Sequence, residues 1–568
     1  MAGAISAGAY TAGVLDFLTE ALDEWEKAKA GKQAVPMHDV SIEVLSGASA
    51  GGMCAAISAV MLNQEFEHIH DTTKTGTTNV FYESWVNRID ISELLKTDDL
   101  VKNSQLSSLL DSTIIGKIAE VALTPGTLKR RRYMSADLRL YLSLTNLRGT
   151  PYSLNGTSPG SVEETTFFYG DRIRFQTKLE ESEDEPDLNT HVLDFSNKSA
   201  LSWETLRKAA MATGAFPIFL APRVLSRNLG EYTPPMWESV TAAATGNPPP
   251  ISPSFPNDTP DPLLTLNVDG GVTNNDPFIY AHDYLARLDP PMEKNRMTVP
   301  AKDVDRLVIN IAPFPTKSAF DVTDGAVKAP DVFSLVGKLI AALISQSRFF
   351  GEGLTKIMNG PTFDLYVIAP SDEDLVDRCK DKDPEDIPPA LQCATLGAFG
   401  GFFYRGFRAH DYALGRRNCQ RFLREWFALP QDNALIAGGL PGPGEARSGI
   451  IREFGVLPPP PYKKSSSQAT VAMGATEVSK WIQVIPLCGT AAETIEPVKR
   501  VVMTGKMLDD IVDLILQRFR AVVALVLSNV QSRRLRWFLK VGQPVIRWLA
   551  RSPLRGVLVK GLGDSYRE

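Results

Sequence analysis

The sequence predicts an α/β fold in which helices sandwich a mainly parallel β-sheet, followed by a mostly helical C-terminal extension. Short apolar runs rich in β-branched residues predict buried strands, and segments with helical periodicity lie between several of them. Such alternation is typical of a parallel sheet with helices on both faces. With 568 residues, the chain is long enough for more than one folded unit.

The most informative stretch is a strand that turns sharply into a helix around Ser49. Residues 40–45 alternate and predict a short buried strand, whereas residues 53–62 are rich in helix formers and predict a buried helix. Between them, Gly47 and Gly51 flank Ser49 in a Gly-x-Ser-x-Gly motif. In such a turn the hydroxyl lies at a helix N-terminus, whose free N–H groups favour developing negative charge. The motif predicts a nucleophilic serine; an ordinary small-residue turn is the alternative.

A small-residue loop over residues 3–13 leads into a segment with helical periodicity over residues 14–25. A glycine-rich loop that opens a helix can present backbone N–H groups to an anion. A plain helix N-terminus packed closely on a sheet is the alternative interpretation. Because a candidate nucleophile follows at Ser49, the loop becomes a candidate oxyanion hole, which acyl transfer requires.

These two motifs and a third resemble the patatin-like phospholipase family. The third is the Asp-Gly-Gly sequence at residues 269–271, where an apolar strand ends. Residues 142–147 and 209–219 also resemble the core of that family. The three motifs occur in the family's order, and the resemblance covers residues 1–320.

The resemblance implies a Ser–Asp dyad that hydrolyses lipid esters as a phospholipase of the A type, without a cofactor. Ser49 would attack the ester carbonyl, and Asp269 would act as general base. The backbone N–H groups of Gly3, Ala4 and Ile5 would hold the oxyanion. The glycines that shape the two motif turns are Gly47, Gly51, Gly270 and Gly271.

The N-terminal loop departs from the family pattern, which usually has three consecutive glycines and a basic residue. Here Ala4 and Ile5 follow Gly3, and Ala7 precedes Gly8. Backbone donors survive these changes but a basic side chain does not. Anion stabilisation would therefore rest on the backbone alone.

Two other functions stay open. An α/β-hydrolase-type esterase would pair Ser49 with a histidine late in the chain, and only His282 and His410 follow Asp269. A catalytically inactive scaffold that docks on membranes would keep the fold without the chemistry. The joint presence of Gly3, Ser49 and Asp269 argues against that scaffold.

The sequence predicts no metal site and no nucleic-acid partner. Residues 67–71 contain two histidines, but no H-E-x-x-H spacing or second cluster supports a metal. Five scattered cysteines form no pairing pattern, which favours a reducing compartment. No leader and no run of 18 uncharged apolar residues is visible. We expect a cytoplasmic protein, with or without contact to a membrane surface.

Composition suggests four regions. We predict a catalytic domain over 1–320, an α/β extension packed on it over 321–457, a Pro/Ser linker over 458–475 and a helical basic region over 476–568. A proline-rich stretch over 228–262 precedes the Asp-Gly-Gly motif and would lie near the mouth of the site as a lid, with disorder as the alternative.

Basic residues concentrate at the C-terminal end of a chain whose net charge is −6. Residues 531–560 contain eight Lys or Arg and no acidic residue. Their helical spacing predicts a basic amphipathic helix that can lie on anionic lipid. A helix pair packed against the acidic body is the alternative.

At the other end, only Met1 and Ala2 precede Gly3, and two residues cannot form a central strand. In a doubly wound sheet, a strand normally leads into the glycine-rich loop. We therefore expect that roughly six to ten further residues upstream would complete a strand and raise both melting temperature and turnover.

Overall fold

The computed structural model describes residues 1–102, 105–154, 164–179, 186, 189–233, 252–288, 301–314, 346–347, 365–381, 387–439, 451–454, 479–528 and 550–568. The predicted linker over 458–475 and most of the proline-rich stretch, residues 234–251, lie outside these ranges. The predicted domain boundaries therefore stay predictions.

A six-stranded sheet lies at the centre, in the order β4-β3-β2-β6-β5, with β1 also paired to β2. Its strands are β1 (Ile42–Gly47), β2 (Met134–Leu154), β3 (Glu164–Lys178), β4 (His191–Asp194), β5 (Arg223–Arg227) and β6 (Leu263–Asp269). The remaining strands are β7 (Val308–Ile311), β8 (Leu365–Ile368), β9 (Ala428–Pro430), β10 (Ile451–Phe454), β11 (Ser479–Gln483), β12 (Met503–Thr504) and β13 (Tyr566–Arg567). They form smaller sheets: β7 with β8, β9 to β11 together, and β12 with β13.

The α/β class is confirmed, but the strand directions are more mixed than a mainly parallel sheet. β1 pairs with β2 in parallel, as β3 does with β4. The long strand β2 is antiparallel to β3 and β6, and β6 is antiparallel to β5. Antiparallel neighbours need no helical crossover, so alternation of strands and helices along the chain does not fix these directions.

Helices cover the sheet and form most of the C-terminal part. They are α1 (Gly8–Ala30), α2 (Ser49–Met61), α3 (Val80–Tyr82), α4 (Ile91–Leu94), α5 (Asp98–Lys102), α6 (Thr113–Ala122), α7 (Leu201–Thr213), α8 (Phe278–Arg287), α9 (Glu373–Arg378), α10 (Gly400–Phe403), α11 (Arg405–Glu425), α12 (Ala434–Ala437) and α13 (Gly505–Ser528). Residues 550–562 are also helical. Among the described residues, no helix combines the length and the apolar character needed to cross a membrane.

The two faces of β1 contact different apolar clusters, as expected for a strand buried between helices. Leu45 belongs to the main core, which also contains residues of α1, α2 and α7. Its neighbour Val44 packs instead against a small cluster around Phe278 and Ala281 of α8. Successive side chains of a strand point to opposite faces, so helices lie on both sides of β1.

Helix α11 packs closely along α1 and ties the C-terminal part to the core. A Cβ atom on Gly13 would lie 2.0 Å from the carbonyl oxygen of Tyr412, and one on Gly415 would lie 2.3 Å from that of Tyr10. Glycine at both positions therefore permits the close approach. Arg416 of α11 forms buried ion pairs with two acidic residues of α1, Asp16 and Glu20.

The first two residues lie between the central sheet and β7. The Met1 ammonium donates to the carbonyl oxygen of Ser46 at 2.9 Å, and the Ala2 amide donates to that of Ile311 at 2.9 Å. These contacts place Met1 and Ala2 beside β1. The expected gain from further upstream residues stays a prediction.

At the C-terminal end, the described residues favour a packed helix pair. Arg551 pairs with Asp513 of α13, and Arg555 pairs with Asp509 of the same helix at 2.9 Å. Leu562 is buried in the main core. The rest of the predicted membrane-binding segment, residues 531–549, lies outside the described residues, and contact with a membrane stays a prediction.

Candidate active site

The Gly-x-Ser-x-Gly motif forms the sharp turn that the sequence predicts. β1 ends at Gly47, Ala48 is extended, and Ser49 begins α2 with a φ of +53°. A Cβ on Gly47 would lie 2.4 Å from the carbonyl oxygen of Gly51, and one on Gly51 would lie 2.5 Å from those of Met1 and Ala2. A positive φ at a non-glycine residue is strained and is typical of functional turns.

The structure brings Ser49 and Asp269 together. The Ser49 hydroxyl donates a hydrogen bond to Asp269 Oδ2, and the oxygens are 2.7 Å apart. Ser49 is 6% exposed and Asp269 is 3% exposed. No histidine lies between the two groups, so a proton can pass from hydroxyl to carboxylate in one step.

Several backbone contacts fix Asp269. Its other carboxylate oxygen, Oδ1, accepts a hydrogen bond of 2.7 Å from the Gly271 amide. Its own carbonyl oxygen accepts one of 2.8 Å from the Thr145 hydroxyl. A Cβ on Gly270 would lie 2.1 Å from the carbonyl oxygen of Ser143, so the Asp-Gly-Gly turn needs glycine to approach β2 this closely.

Burial makes Asp269 a much stronger base than an exposed carboxylate. It raises the pKa of Asp269 from 3.8 to about 7, against the lowering effect of the hydrogen bonds from Ser49 and Gly271. A carboxylate in water loses its proton near pH 4 and is a weak proton acceptor. A base with a pKa close to neutral pH is better matched to general-base catalysis.

The N-terminal loop lies beside Ser49, but its three predicted oxyanion donors are not equivalent. A Cβ on Gly3 would lie 3.0 Å from Ser49 Cβ, so the loop approaches the nucleophile closely. The Gly3 amide already donates to the carbonyl oxygen of Asn275 at 3.0 Å. Ala4 caps a 3₁₀ turn that begins at Ile5, and the first amides of a helical turn have no partner within it. Of the three predicted donors, Ala4 and Ile5 therefore stay the candidates.

Thr213, the last residue of α7, supports the turn between β1 and α2 at Ser49. Its hydroxyl accepts a hydrogen bond of 3.0 Å from the Ser49 amide. A Cβ on Gly52 would lie 2.7 Å from the Thr213 methyl carbon, so the two segments pack tightly. In the sequence, Thr213 is marked only by the resemblance of residues 209–219 to the family core.

Neither candidate histidine of a triad contacts the dyad in the described part of the chain. His282 lies on α8 with Nδ1 3.6 Å from the carboxylate of Asp283. His410 is buried on α11 and hydrogen bonds through Nδ1 to Asp411 at 2.8 Å. The only hydrogen-bond partner of the Ser49 hydroxyl among the described residues is Asp269.

The two histidines of residues 67–71 lie beside carboxylates of α1. His68 Nδ1 lies 2.8 Å from Asp16, and His70 Nε2 lies 3.4 Å from Glu20. Although burial lowers the pKa of His68, the hydrogen bond to Asp16 and the carboxylate of Asp23, 3.9 Å away, raise it to about 9. Among the described residues, no group of three or more potential ligands could hold a metal ion.

An apolar cavity opens beside Ser49. Its walls come from the N-terminal loop, α2, α4 and two aromatic segments, and include Ile5, Met53, Leu94, Phe216, Phe399 and Phe402. The ring of Phe399 packs edge-on against Phe216, with centroids 5.8 Å apart. Apolar walls around one polar group suit a hydrocarbon chain attached to an ester.

A second apolar cavity adjoins the first. The two share four lining residues: Met53, Trp85, Ile89 and Ile115. The second cavity extends between α2, α6 and α7 and is also lined by Ile57, Ala119 and Met211. We expect the two cavities to join into one apolar path that leads away from Ser49 when an acyl chain binds.

Comparisons with known proteins agree with the motifs. A family model described as patatin-like phospholipase matches residues 1–282, somewhat less than the 320 residues covered by the resemblance. An uncharacterized protein of Sinorhizobium fredii, y4iI, is 33% identical over 483 residues, which span 79% of this chain and 67% of that protein. The chain belongs to the patatin-like phospholipase family.

Proposed function

We propose that this chain is a lipid acyl hydrolase of the phospholipase A type that releases ester-linked acyl chains through a covalent intermediate on Ser49. Family membership supports lipid hydrolysis in general. The single observation that supports this mechanism is the 2.7 Å hydrogen bond between the Ser49 hydroxyl and Asp269 Oδ2. Both side chains are buried, and Ser49 lines an apolar cavity.

In the first half-reaction, Ser49 Oγ attacks the ester carbonyl carbon while Asp269 takes the hydroxyl proton. The electron pair of the carbonyl moves to its oxygen, which accepts hydrogen bonds from the Ala4 and Ile5 amides. When the tetrahedral intermediate collapses, the bond to the alcohol breaks and Asp269 returns the proton to the leaving oxygen. The acyl chain is then covalently bound to Ser49.

In the second half-reaction, water replaces the alcohol. Asp269 takes a proton from the water as the water oxygen attacks the acyl carbonyl. Collapse of the second intermediate breaks the bond to Ser49, and Asp269 returns the proton to Ser49 Oγ. The products are a fatty acid and the free enzyme.

A serine-reactive probe tests the proposal directly. Wild-type protein should react with a fluorophosphonate probe and hydrolyse both a short-chain ester and phospholipid vesicles. Ser49→Ala should abolish labelling and lower hydrolysis by at least about 10³-fold, because the nucleophile is gone.

Ser58→Ala provides a matched control. Ser58 is also a buried serine of α2, but its hydroxyl donates to the carbonyl oxygen of Cys54 within the helix. This variant should label and hydrolyse like the wild type. A folded Ser49→Ala protein that still reacts with the probe would show that another residue is the nucleophile.

A further inference from the structure

We propose that Ser6 is a positioning residue which links a distant loop, residues 391–403, to the oxyanion-stabilising turn, so that efficient catalysis requires that loop. The loop lies beyond residues 1–282, which match the family model. This inference rests on the proposed function, since it identifies what holds the Ala4 and Ile5 amides in place.

Ser6 is fully buried and is held through both its backbone and its side chain. Its amide donates to the carbonyl oxygen of Ala398 at 3.2 Å, and its hydroxyl donates to the same oxygen at 2.6 Å. The hydroxyl also accepts a hydrogen bond of 3.1 Å from the Gly401 amide. Nearly 400 residues separate the partners along the chain, so this is a specific tertiary contact.

The turn before Ser6 has a backbone conformation that needs support. Ile5 has a φ of +46°, in the left-handed region that β-branched residues rarely adopt. Such a conformation costs about 1–3 kcal/mol and persists only where surrounding contacts fix it. A hydrogen bond of 2.8 Å from the Ala7 amide to the Ala4 carbonyl oxygen closes the turn locally. Ser6 lies inside this turn, so its contacts also fix where the adjacent Ile5 amide points.

The loop itself is firmly held by α11. The buried carboxylate of Asp411 accepts hydrogen bonds from the amides of Gln392 at 2.8 Å and Cys393 at 2.9 Å. The buried Arg408 guanidinium donates to the carbonyl oxygen of Gly401 at 2.7 Å. A continuous set of hydrogen bonds therefore runs from α11 through the loop to Ser6.

The same loop also reaches the substrate cavity. Phe399 and Phe402 line the cavity together with Ile5 and Ser49. A Cβ on Gly401 would lie 2.7 Å from Ser6 Oγ, so the loop backbone approaches the turn too closely for a side chain. The loop thus contributes both a wall of the cavity and the anchor of the turn.

Ser6→Ala removes the hydroxyl contacts and should misplace donors that act mainly in the transition state. We expect kcat on a short-chain ester to fall about 10–100-fold, below the 10²–10³-fold typical when an oxyanion donor is lost. KM should stay within about twofold, because ground-state binding does not use these donors. The inhibition constant of an alkyl trifluoromethyl ketone, which forms an oxyanion on Ser49, should rise in parallel with the loss of kcat/KM. The dissociation constant of the matching fatty acid should not change.

Two further variants make the test specific. Ser6→Cys keeps the shape of the side chain but provides a weaker hydrogen-bonding group, so its kcat should lie between those of wild type and Ser6→Ala. This variant provides the test where the alanine variant folds poorly. Ser58→Ala, a buried serine outside the site, should match the wild type. A folded Ser6→Ala or Ser6→Cys enzyme with wild-type kcat and ketone affinity would overturn this inference but not the proposed function. Wild-type protein that neither hydrolyses esters nor labels at Ser49 would overturn the proposed function and, with it, this inference.

Discussion

Ser49 Oγ lies 2.7 Å from Asp269 Oδ2, although 220 residues separate the two in the chain. The strands that lead to these two residues, β1 and β6, both pair with β2, and this pairing explains the proximity. β1 runs parallel to β2 and ends with Gly47 opposite Leu142, whereas β6 runs antiparallel and ends with Asp269 opposite Leu144. Two strand ends therefore meet at one place on β2, and each continues into a turn that presents its side chain to the other.

The first prediction separates a dyad from a triad. Asp269→Asn should lower kcat/KM by at least about 10³-fold, because an amide cannot take the proton of the hydroxyl. The amide oxygen can still accept the hydrogen bond from Gly271, so the variant should fold. His282→Ala and His410→Ala should each retain most of the activity, measured on the same short-chain ester. A well-folded but inactive His410→Ala or His282→Ala enzyme would instead support the α/β-hydrolase mechanism.

The pH dependence follows from the pKa of Asp269, which burial raises to about 7. The carboxylate must be ionised to act as base, so kcat/KM should rise about tenfold per pH unit below pH 7 and level off above it. A pH profile at constant ionic strength, measured on an uncharged ester, checks this. Full activity at pH 5 would show that Asp269 is already ionised there.

The same shift predicts a pH-dependent stability. Because the folded-state pKa lies above the ordinary value of 3.8, the folded state binds the proton more tightly between about pH 4 and pH 7. This contribution to stability is present at low pH and is lost as the pH rises through that window, by up to about 1.4 kcal/mol per pH unit. Asp269→Asn has no such group, so its melting temperature relative to the wild type should increase from pH 5 to pH 8.

Local sequence patterns predicted the strand and the helix around the site, because burial of a strand or a helix imposes such a pattern on its residues. Alternation predicted a strand over 40–45, and the structure has Ile42–Gly47. Helix formers predicted a helix over 53–62, and the structure begins it four residues earlier, at Ser49. The offset arises because small residues carry little periodic signal at the turn. Strand directions could not be predicted, since they depend on which distant segments pair with β2.

For the site, the sequence predicted the two reacting side chains but not the contacts that hold them. Ser49 and Asp269 occur in short motifs with a recognisable local geometry. Thr213 and Ser6 do not, because their partners lie 164 and 392 residues away. A serine or threonine among small residues looks the same whether it caps a helix or fixes a catalytic turn. Only the folded chain distinguishes these roles.

The last prediction concerns acyl-chain length and the path formed by the two apolar cavities. From Ser49 to Ile57, α2 flanks this path for about 12 Å, given a rise of about 1.5 Å per residue. A fully extended chain advances about 1.2 Å per bond, so the path matches roughly ten carbons. Ala119 lines only the second cavity, the one that does not contain Ser49. Ala119→Phe should therefore block long chains without disturbing the chemistry at Ser49.

We expect Ala119→Phe to lower kcat/KM for a dodecanoyl ester at least about tenfold, equivalent to about 1.4 kcal/mol, while a butanoyl ester changes less than twofold. Val121→Phe is the matched control, because Val121 lies on the same helix α6 but is 53% exposed. Parallel rate measurements on p-nitrophenyl esters of four to sixteen carbons, with melting temperatures of each variant, give the comparison. An equal loss for short and long esters, or no loss for either, would show that the acyl chain leaves Ser49 by another route.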